Sequence, residues 1–320
     1  MHVYLTREIS LAEANTYLGR AGLPGRVVEV TPCAGGVTNF NHQLRLGDGR
    51  RLLLRTYGVD ASRAARRQTE LATHALLAAT SIPAPHIIAA PTTAADFSIV
   101  EWVEGVRLRD AFGTERDPGR LQRAWAQTGQ ALRATHGITS TFDRAAFTRA
   151  GGAALGNTEW SAAYAREITE CAAVLVGKKL IRSTDEQRIA AISNRSGELL
   201  AAFEGSLLHG DAHAANVMVR EEGTGWALAA WIDWERAQFG DPEADLATFE
   251  VFTRAQVGQT PRAFWDGYGR TPDPFRFRFY ELLNVLSLAS NDRAQALPPG
   301  REARLLVTTS LDVLLSRLEE

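Results

Sequence analysis

Three polar motifs set among apolar, strand-like runs constrain this chain more than any other feature. Leu207-Leu208 leads into His209-Gly210-Asp211-Ala212-His213-Ala214-Ala215-Asn216, and Val217-Met218-Val219 follows at once. Trp226 to Ile232 is a further apolar run and ends in Asp233-Trp234-Glu235. Gly240-Asp241-Pro242-Glu243-Ala244-Asp245-Leu246-Ala247 comes next. A β-rich stretch this short, 206–233, cannot bury its own faces. It needs the helical segments on either side packed around it. Taken singly, each motif also reads as turn and cap chemistry, because Asp, Asn and Gly are the commonest turn formers. That account is poor for all three together, which would bring several carboxylates and one carboxamide to the same strand ends.

Outside this stretch the pattern divides in two. Residues 10–18 read as a short helix, with Ser10 as N-cap and Gly19 as stop. Val27 to Val30, Phe40 to Leu46 and Leu52 to Tyr57 read as strands, the last two joined by a Gly47-Asp48-Gly49 turn. Ser62 to Ala79 turns helical and is broken by Ile82-Pro83-Ala84-Pro85. Ile87-Ile88 and Phe97 to Trp102 are strand-like again. Beyond Val103-Glu104-Gly105 the chain becomes mostly helical, over 121–136, 160–176, 186–203, from Ala244 onward, and most strongly at 277–290 and 303–318. The expected fold is therefore α+β and bilobal. An N-lobe over 1–102 holds a five-stranded antiparallel sheet with one main helix, 103–105 is the hinge, and 106–320 is a larger, mainly helical C-lobe.

The motifs suit one kind of chemistry. Phosphoryl transfer needs hard oxygen ligands for the metal that neutralises the nucleotide phosphates, and Asn and Asp supply them. It needs a carboxylate to orient the attacking hydroxyl and accept its proton, and it needs both held rigidly. A loop with Asp211 at one end and Asn216 five residues on, joined to a strand carrying Asp233, has these parts.

The motifs HGDxxxxN, IDWE and GDPxxDLA resemble those of the aminoglycoside phosphotransferase family, within the protein-kinase-like fold, in order and at ordinary spacing. The resemblance implies that Asp211 is the catalytic base and that Asn216 and Asp233 are Mg²⁺ ligands. It implies too that Asp245 braces the catalytic loop and that His209 is structural. Gly35-Gly36-Val37-Thr38-Asn39-Phe40 matches the family's phosphate loop, with Gly36 against the nucleotide, although taken alone such a hexapeptide is better explained as a Gly-Gly hairpin turn. A kinase of this fold places a cation on the third strand and pairs it with an acid on the following helix. The lysines, Lys178 and Lys179, are in the wrong region, so the expected pair is Arg55 and Glu70. Glu101-Trp102-Val103 matches the hinge, implying adenine contacts from the Glu101 carbonyl and the Val103 N–H. His213 fits the pattern as a packing residue. The donor, ATP or GTP, is not readable.

Composition bounds the partners. The net charge is −2 and the arginines are dispersed, so no basic excess points to nucleic acid or to an acidic membrane surface. The first residues lack a signal-peptide core, and no run of 18 apolar residues occurs. Cys33 and Cys171 have no metal-site spacing, and a cytoplasmic location is the expectation. The acceptor is expected to be a small molecule bearing a hydroxyl, held by 139–205 and 246–320. Those segments carry eight acidic against eight basic and nine acidic against nine basic residues, which leans away from a strongly polycationic acceptor. Three functions are compatible with this pattern: an antibiotic-modifying phosphotransferase, a metabolic kinase of a sugar, amino alcohol or hydroxy amino acid, and a silent nucleotide-binding module. The retained Asp211, Asn216 and Asp233 weigh against the last. Oligomeric state is not legible.

Overall fold

The computed structural model describes residues 7–33, 39–57, 61–92, 96–139, 157–290 and 310–319. Helix α1 (Leu11–Arg20) opens on a capping box, in which Ser10 accepts from the Glu13 N–H while Glu13 accepts from the Ser10 N–H. It continues through Gly19 to Arg20, one residue past the expected stop. Strands β1 (Val27–Pro32), β2 (Phe40–Leu46), β3 (Arg51–Thr56), β4 (Ile87–Ala89) and β5 (Phe97–Glu101) form the five-stranded antiparallel sheet, in the order β1-β2-β3-β5-β4. Helix α2 (Ala61–Leu77) lies between β3 and β4 in the chain.

Strand alternation sorts this sheet into two faces. Leu44 and Leu46 of β2, Leu52 and Leu54 of β3, and Phe97 and Ile99 of β5 are buried with Tyr17 and Leu18 of α1 in one apolar cluster. The alternate residues point the other way. Arg55 lies opposite Asn41 on one side and opposite Ser98 on the other, so three polar side chains share the second face.

The rest of the described chain is mainly helical. It comprises β6 (Val106–Arg107), α3 (Leu108–Thr114), α4 (Gln122–His136), α5 (Asn157–Gly177), α6 (Ser183–Arg195) and α7 (Gly197–Ala201). There follow β7 (Ser206–Leu208), β8 (Val217–Glu222), β9 (Gly225–Trp231), β10 (Gln238–Gly240), α8 (Pro242–Val257), α9 (Arg262–Tyr268) and α10 (Pro274–Ser290). A final helix, α11, covers 310–319. The helix expected over 186–203 is two: α6 ends at Arg195 and is capped by Ser196, whose hydroxyl donates back to the Ser193 carbonyl, and α7 begins at Gly197. The part of the C-terminal expectation at 303–309 lies outside the described residues.

Two cores flank the β-rich stretch. One gathers Leu207, Val217, Val219, Trp231 and Trp234 with Trp125, Leu132, Phe249 and Phe264, and so packs α4, α8 and α9 against β7–β9. The other joins α5, α6, α10 and α11. Helix α4 meets α9 backbone to backbone. A Cβ on Gly129 would stand 2.1 Å from the Phe264 carbonyl oxygen, and one on Gly267 would stand 2.1 Å from the Ala126 carbonyl oxygen. Gly129→Ala is therefore expected to force these helices apart and to cost about 1–3 kcal/mol, the usual range for overpacking. Urea unfolding of the variant beside the parent checks this, and an unchanged midpoint would mean that the contact gives freely.

Candidate functional site

The centre of the site is a loop held by one buried carboxylate. Strand β7 ends at Leu208, and the next two backbone N–H groups, of His209 and Gly210, donate to Asp245 at 2.6 and 2.9 Å. Asp245 stands in the first turn of α8 and also accepts from His136 Nε2 at 3.3 Å. The other His136 nitrogen, Nδ1, lies 2.8 Å from the Tyr268 hydroxyl. Burial by itself would push the Asp245 carboxyl up. The hydrogen bond and charge of His136, followed by those of His209, outweigh it and hold the group below its ordinary value.

His209 is packed between the rings of Trp231 and Trp234. Its Nδ1 accepts the Asp211 N–H at 3.3 Å, and its Nε2 donates to the Ile232 carbonyl at 3.0 Å. The ring thus ties the loop to the end of β9. Gly210 has φ of 75°, and a Cβ there would stand 2.0 Å from the Arg236 carbonyl oxygen. Only glycine lets the loop pass so close to the following segment.

Asp211 and Asn216 are brought together by the loop itself. Asn216 Nδ2 donates to the Asp211 carbonyl at 2.9 Å and approaches Asp211 Oδ2 at 3.2 Å. The Asn216 amide nitrogen is thereby committed, and no hydrogen bond among the described residues takes up its Oδ1. The Ile232 N–H donates to the Asn216 carbonyl at 2.9 Å, which fixes β8 beside the Asp233 turn. His213 Nδ1 accepts the Ala215 N–H at 3.2 Å, and the ring stacks on Phe252. Burial lowers its pKa, and its Nε2 stands 3.9 Å from Asp211 Oδ2. It packs the loop, as its motif position suggested.

Asp233 adopts the left-handed conformation, φ 70° and ψ 57°, where the chain turns from β9 into the Trp234–Arg236 turn. For a non-glycine residue this is uncommon and is tolerated best by Asp and Asn. The turn brings Asp233 Oδ1 to 3.4 Å from Arg55 Nη1. Arg55 is buried, forms a direct salt bridge with Glu70 of α2, and donates from Nε to Asn41 Oδ1 at 3.0 Å. Burial works against its charge, but Glu70 and then Asp233 more than offset this and keep it protonated. The Tyr57 hydroxyl donates to Glu70 at 2.7 Å and meets Ser98 Oγ at 2.9 Å. Burial pushes the Glu70 carboxyl up, while Arg55 and Tyr57 pull it back. The strand-and-helix ion pair read from sequence is present, and it touches the β9 turn.

Just before the segment expected to be the hinge, Glu101 closes β5, and its side chain accepts the His86 N–H at 3.0 Å. The Val103 N–H makes no hydrogen bond to a described residue. Gly36 lies outside the described residues. Asn39, at the far end of its loop, is described and buried, and it donates to Glu235 at 2.5 Å. Sequence reading did not single out Glu235, Asn41, Arg66, His136 or Tyr57 for the site. Asn41 carried a weak signal, since it alternates with the apolar positions of its strand. His136 carried none, because it is 109 residues from the carboxylate it serves.

Residues 29–280 match the APH family model, described as the phosphotransferase enzyme family. No curated protein matches the sequence. Among solved structures, an APH enzyme in complex with gentamicin superposes with a TM-score of 0.64 at 14% identity, covering 98% of this chain and 97% of that one. An aminoglycoside phosphotransferase from Streptomyces rimosus gives 0.56 at 23% identity, over 87% of this chain and 96% of that one. A macrolide 2'-phosphotransferase from Brachybacterium faecium gives 0.61 at 17%, over 96% and 97%. At such identities the likeness is one of fold.

Asp245→Ala is expected to cost about 3 kcal/mol, because it leaves two buried loop N–H groups and His136 without their acceptor. Asp245 has a depressed folded pKa, so its contribution is complete above its ordinary value of 3.8 and is lost as pH falls through the lower folded value. Chemical unfolding across acid pH should therefore show a shallower loss of stability in the variant than in the parent. Parallel curves would mean that Asp245 does not carry this dependence.

Proposed function

Because the chain belongs to the phosphotransferase enzyme family, we propose that it moves the γ-phosphoryl group of a Mg²⁺-bound ATP or GTP onto a hydroxyl of a small molecule. The observation that carries this reading is the division of labour between two carboxylates on adjoining turns. Asp211, beside Asn216, has its nearest cation, Arg236 Nη1, 3.8 Å away, while Asp233 faces the buried Arg55–Glu70 pair. The first carboxylate can accept a proton, and the second stands where phosphate charge would gather.

On this reading the adenine or guanine base meets the Glu101 carbonyl and the Val103 N–H at the 103–105 hinge. The 34–38 loop with Gly36 covers the phosphates, and Arg55 donates to their oxygens under the aim of Glu70 and Asn41. Asp211 orients the acceptor hydroxyl and takes its proton as the new oxygen–phosphorus bond forms and the bond to the nucleoside diphosphate breaks. Catalysis of this kind is mostly positioning and electrostatics, which suits a loop tied down at His209, Gly210 and Asn216.

Two protein oxygens suit a magnesium ion. Asn216 Oδ1 has no donor among the described residues, and Asp233 is more than a third exposed, with only a 3.4 Å approach from Arg55. Among the described residues no cluster of three His, Cys, Asp or Glu could hold a metal by itself. Magnesium commonly takes one or two protein oxygens and completes its shell with phosphate and water. When bound it would neutralise phosphate charge. Among the described residues no helix is long and apolar enough to cross a membrane, and Cys33 and Cys171 are free thiols, which suits the reducing cytoplasm.

For the acceptor we propose an antibiotic hydroxyl. The fold is shared with enzymes named for aminoglycosides and macrolides. The even charge balance of 246–320 and the exposed Arg236 beside Asp211 favour, as a second reading, a metabolic kinase of a neutral or anionic hydroxyl compound.

A coupled assay with Mg-ATP and Mg-GTP against hydroxyl-bearing antibiotics and metabolites tests both. Asp211→Asn is expected to lower transfer by about 10²–10⁴-fold, the usual contribution of a general base, with nucleotide affinity kept. Transfer at the parental rate would remove Asp211 from that role. Asp233→Ala should instead weaken Mg-nucleotide binding about tenfold, as read by nucleotide titration, through the loss of one strong charge contact. Binding that stayed unchanged would take the metal away from this residue.

A further inference from the structure

Arg236 closes the Trp234–Arg236 turn and is the residue of it that faces solvent. Trp234 and Glu235 are buried, while the Arg236 side chain is 53% exposed. Its backbone is fixed, because the Ala237 N–H donates to the Trp234 carbonyl at 3.1 Å and the Arg236 carbonyl lies against Gly210. Among the described residues its guanidinium has one ionic neighbour, Asp211 Oδ1, 3.8 Å from Nη1. That distance is too long for a hydrogen bond.

The two oxygens of Asp211 have different surroundings. Oδ2 is approached by Asn216 Nδ2 at 3.2 Å and by His213 Nε2 at 3.9 Å, on the side that the functional reading gives to the metal. Oδ1 accepts no hydrogen bond from a described residue, and Arg236 stands beside it. Oδ1 is therefore the oxygen left for an acceptor hydroxyl, and Arg236 lies on the acceptor side of the base. The carboxylates of the following helices point to the same sign of charge. From Asp241 to Glu281, every one stands within 3.7 Å of an arginine or histidine nitrogen. Glu243 meets Arg270 at 2.7 Å, and Glu281 is shared by Arg254 and Arg278 at 3.3 and 3.4 Å. An amine-bearing acceptor would have to displace one of these partners to find a counter-charge. An oxyanion instead finds a loosely held guanidinium next to the proton-accepting oxygen.

We propose that Arg236 is a specificity-determining residue, which selects an acceptor carrying a carboxylate or phosphate close to the hydroxyl that is phosphorylated. The proposal rests on the phosphotransferase reading, with Asp211 as the base. It narrows the acceptor whether its source is an antibiotic or a metabolite. Arginine holds such groups through two N–H donors in a fixed fork. With Oδ1 and Nη1 3.8 Å apart, hydrogen-bond lengths place the oxyanion roughly 3–6 Å from the hydroxyl oxygen, a span of about one to three carbons. An ammonium in that position would meet the guanidinium as a like charge.

The test uses the full chain and hydroxyl compounds of three charge classes: hydroxy acids with sugar phosphates, neutral sugars with polyols, and amino alcohols with aminoglycosides. Saturation-transfer NMR on the Mg-ADP or Mg-GDP complex reads which class binds, with no turnover needed. The coupled assay gives kcat and KM for those that react. Oxyanion-bearing compounds are expected to bind and react best. Arg236→Ala should raise the KM of the preferred acceptor about 10–100-fold, as expected for losing one charged pair, with kcat changed less. Its nucleotide affinity and unfolding midpoint should stay at parental values. Arg236→Lys should recover part of the loss, because it keeps the charge and gives up the fork. Arg236→Glu should turn the preference toward amine-bearing compounds. A contact that only steadied the Asp211 loop would lower the midpoint and treat the three classes alike. Amine-bearing compounds binding best to the parent, or Arg236→Ala with unchanged KM and binding, overturn the assignment. Parental protein that bound neither nucleoside diphosphate would overturn the phosphotransferase reading, whereas nucleotide binding without a preference for oxyanions overturns the role of Arg236 alone.

Discussion

Two backbone N–H groups converging on the Asp245 carboxylate organise the rest of the site. A loop that leaves a strand gives up its ladder hydrogen bonds, and buried donors without partners are costly. Asp245 supplies that missing acceptor from the first turn of α8, where the helix dipole also favours a negative charge. Once His209 and Gly210 are fixed, His209 can reach the Ile232 carbonyl, Gly210 can lie against Arg236, and Asp211 is presented beside Asn216. The support is itself supported, through His136 and Tyr268 on α4 and α9. Those helices approach closely because Gly129 and Gly267 permit it.

A second network meets the first at the Asp233 turn. Arg55, Glu70, Tyr57, Ser98 and Asn41 are satisfied mutually on the polar face of the five-stranded sheet. A buried ion pair is not in itself a source of stability, because desolvation offsets its attraction. Its use here is positional. The guanidinium is held in one orientation by neighbours on two elements, Asn41 of β2 and Glu70 of α2, so that its remaining reach is toward Asp233. The two carboxylates of the site thus have different surroundings, one next to a carboxamide and the other next to a fixed cation. Such asymmetry is what lets chemically identical groups take separate roles in one reaction.

Much of this was legible in one dimension. Strand alternation over 40–57 already divided Leu44, Leu52 and Leu54 from Asn41 and Arg55, and the structure puts these sets on opposite faces. The lysine-poor composition left Arg55 as the cation for the third strand, and its partner on the next helix is Glu70. The motif residues 209–247 gather at one loop, because strands β7–β9 are too short to separate their ends. The helix expected over 186–203 failed locally, at Ser196 and Gly197, where side-chain-to-backbone bonding competes with helix continuation.

Local pattern therefore decided the element types, the polar face of the sheet and the family to which the chain belongs, since each depends on residues within a few positions of one another. Assembly in three dimensions decided which buried donor met which acceptor. Asn39 with Glu235 and His136 with Asp245 are pairs separated by 196 and 109 residues. Periodicity carries no memory over such distances. Only the assembly of the start of β2 on the Asp233 turn, and of the end of α4 beside the first turn of α8, brings those side chains within hydrogen-bonding reach, and there burial makes each pairing obligatory.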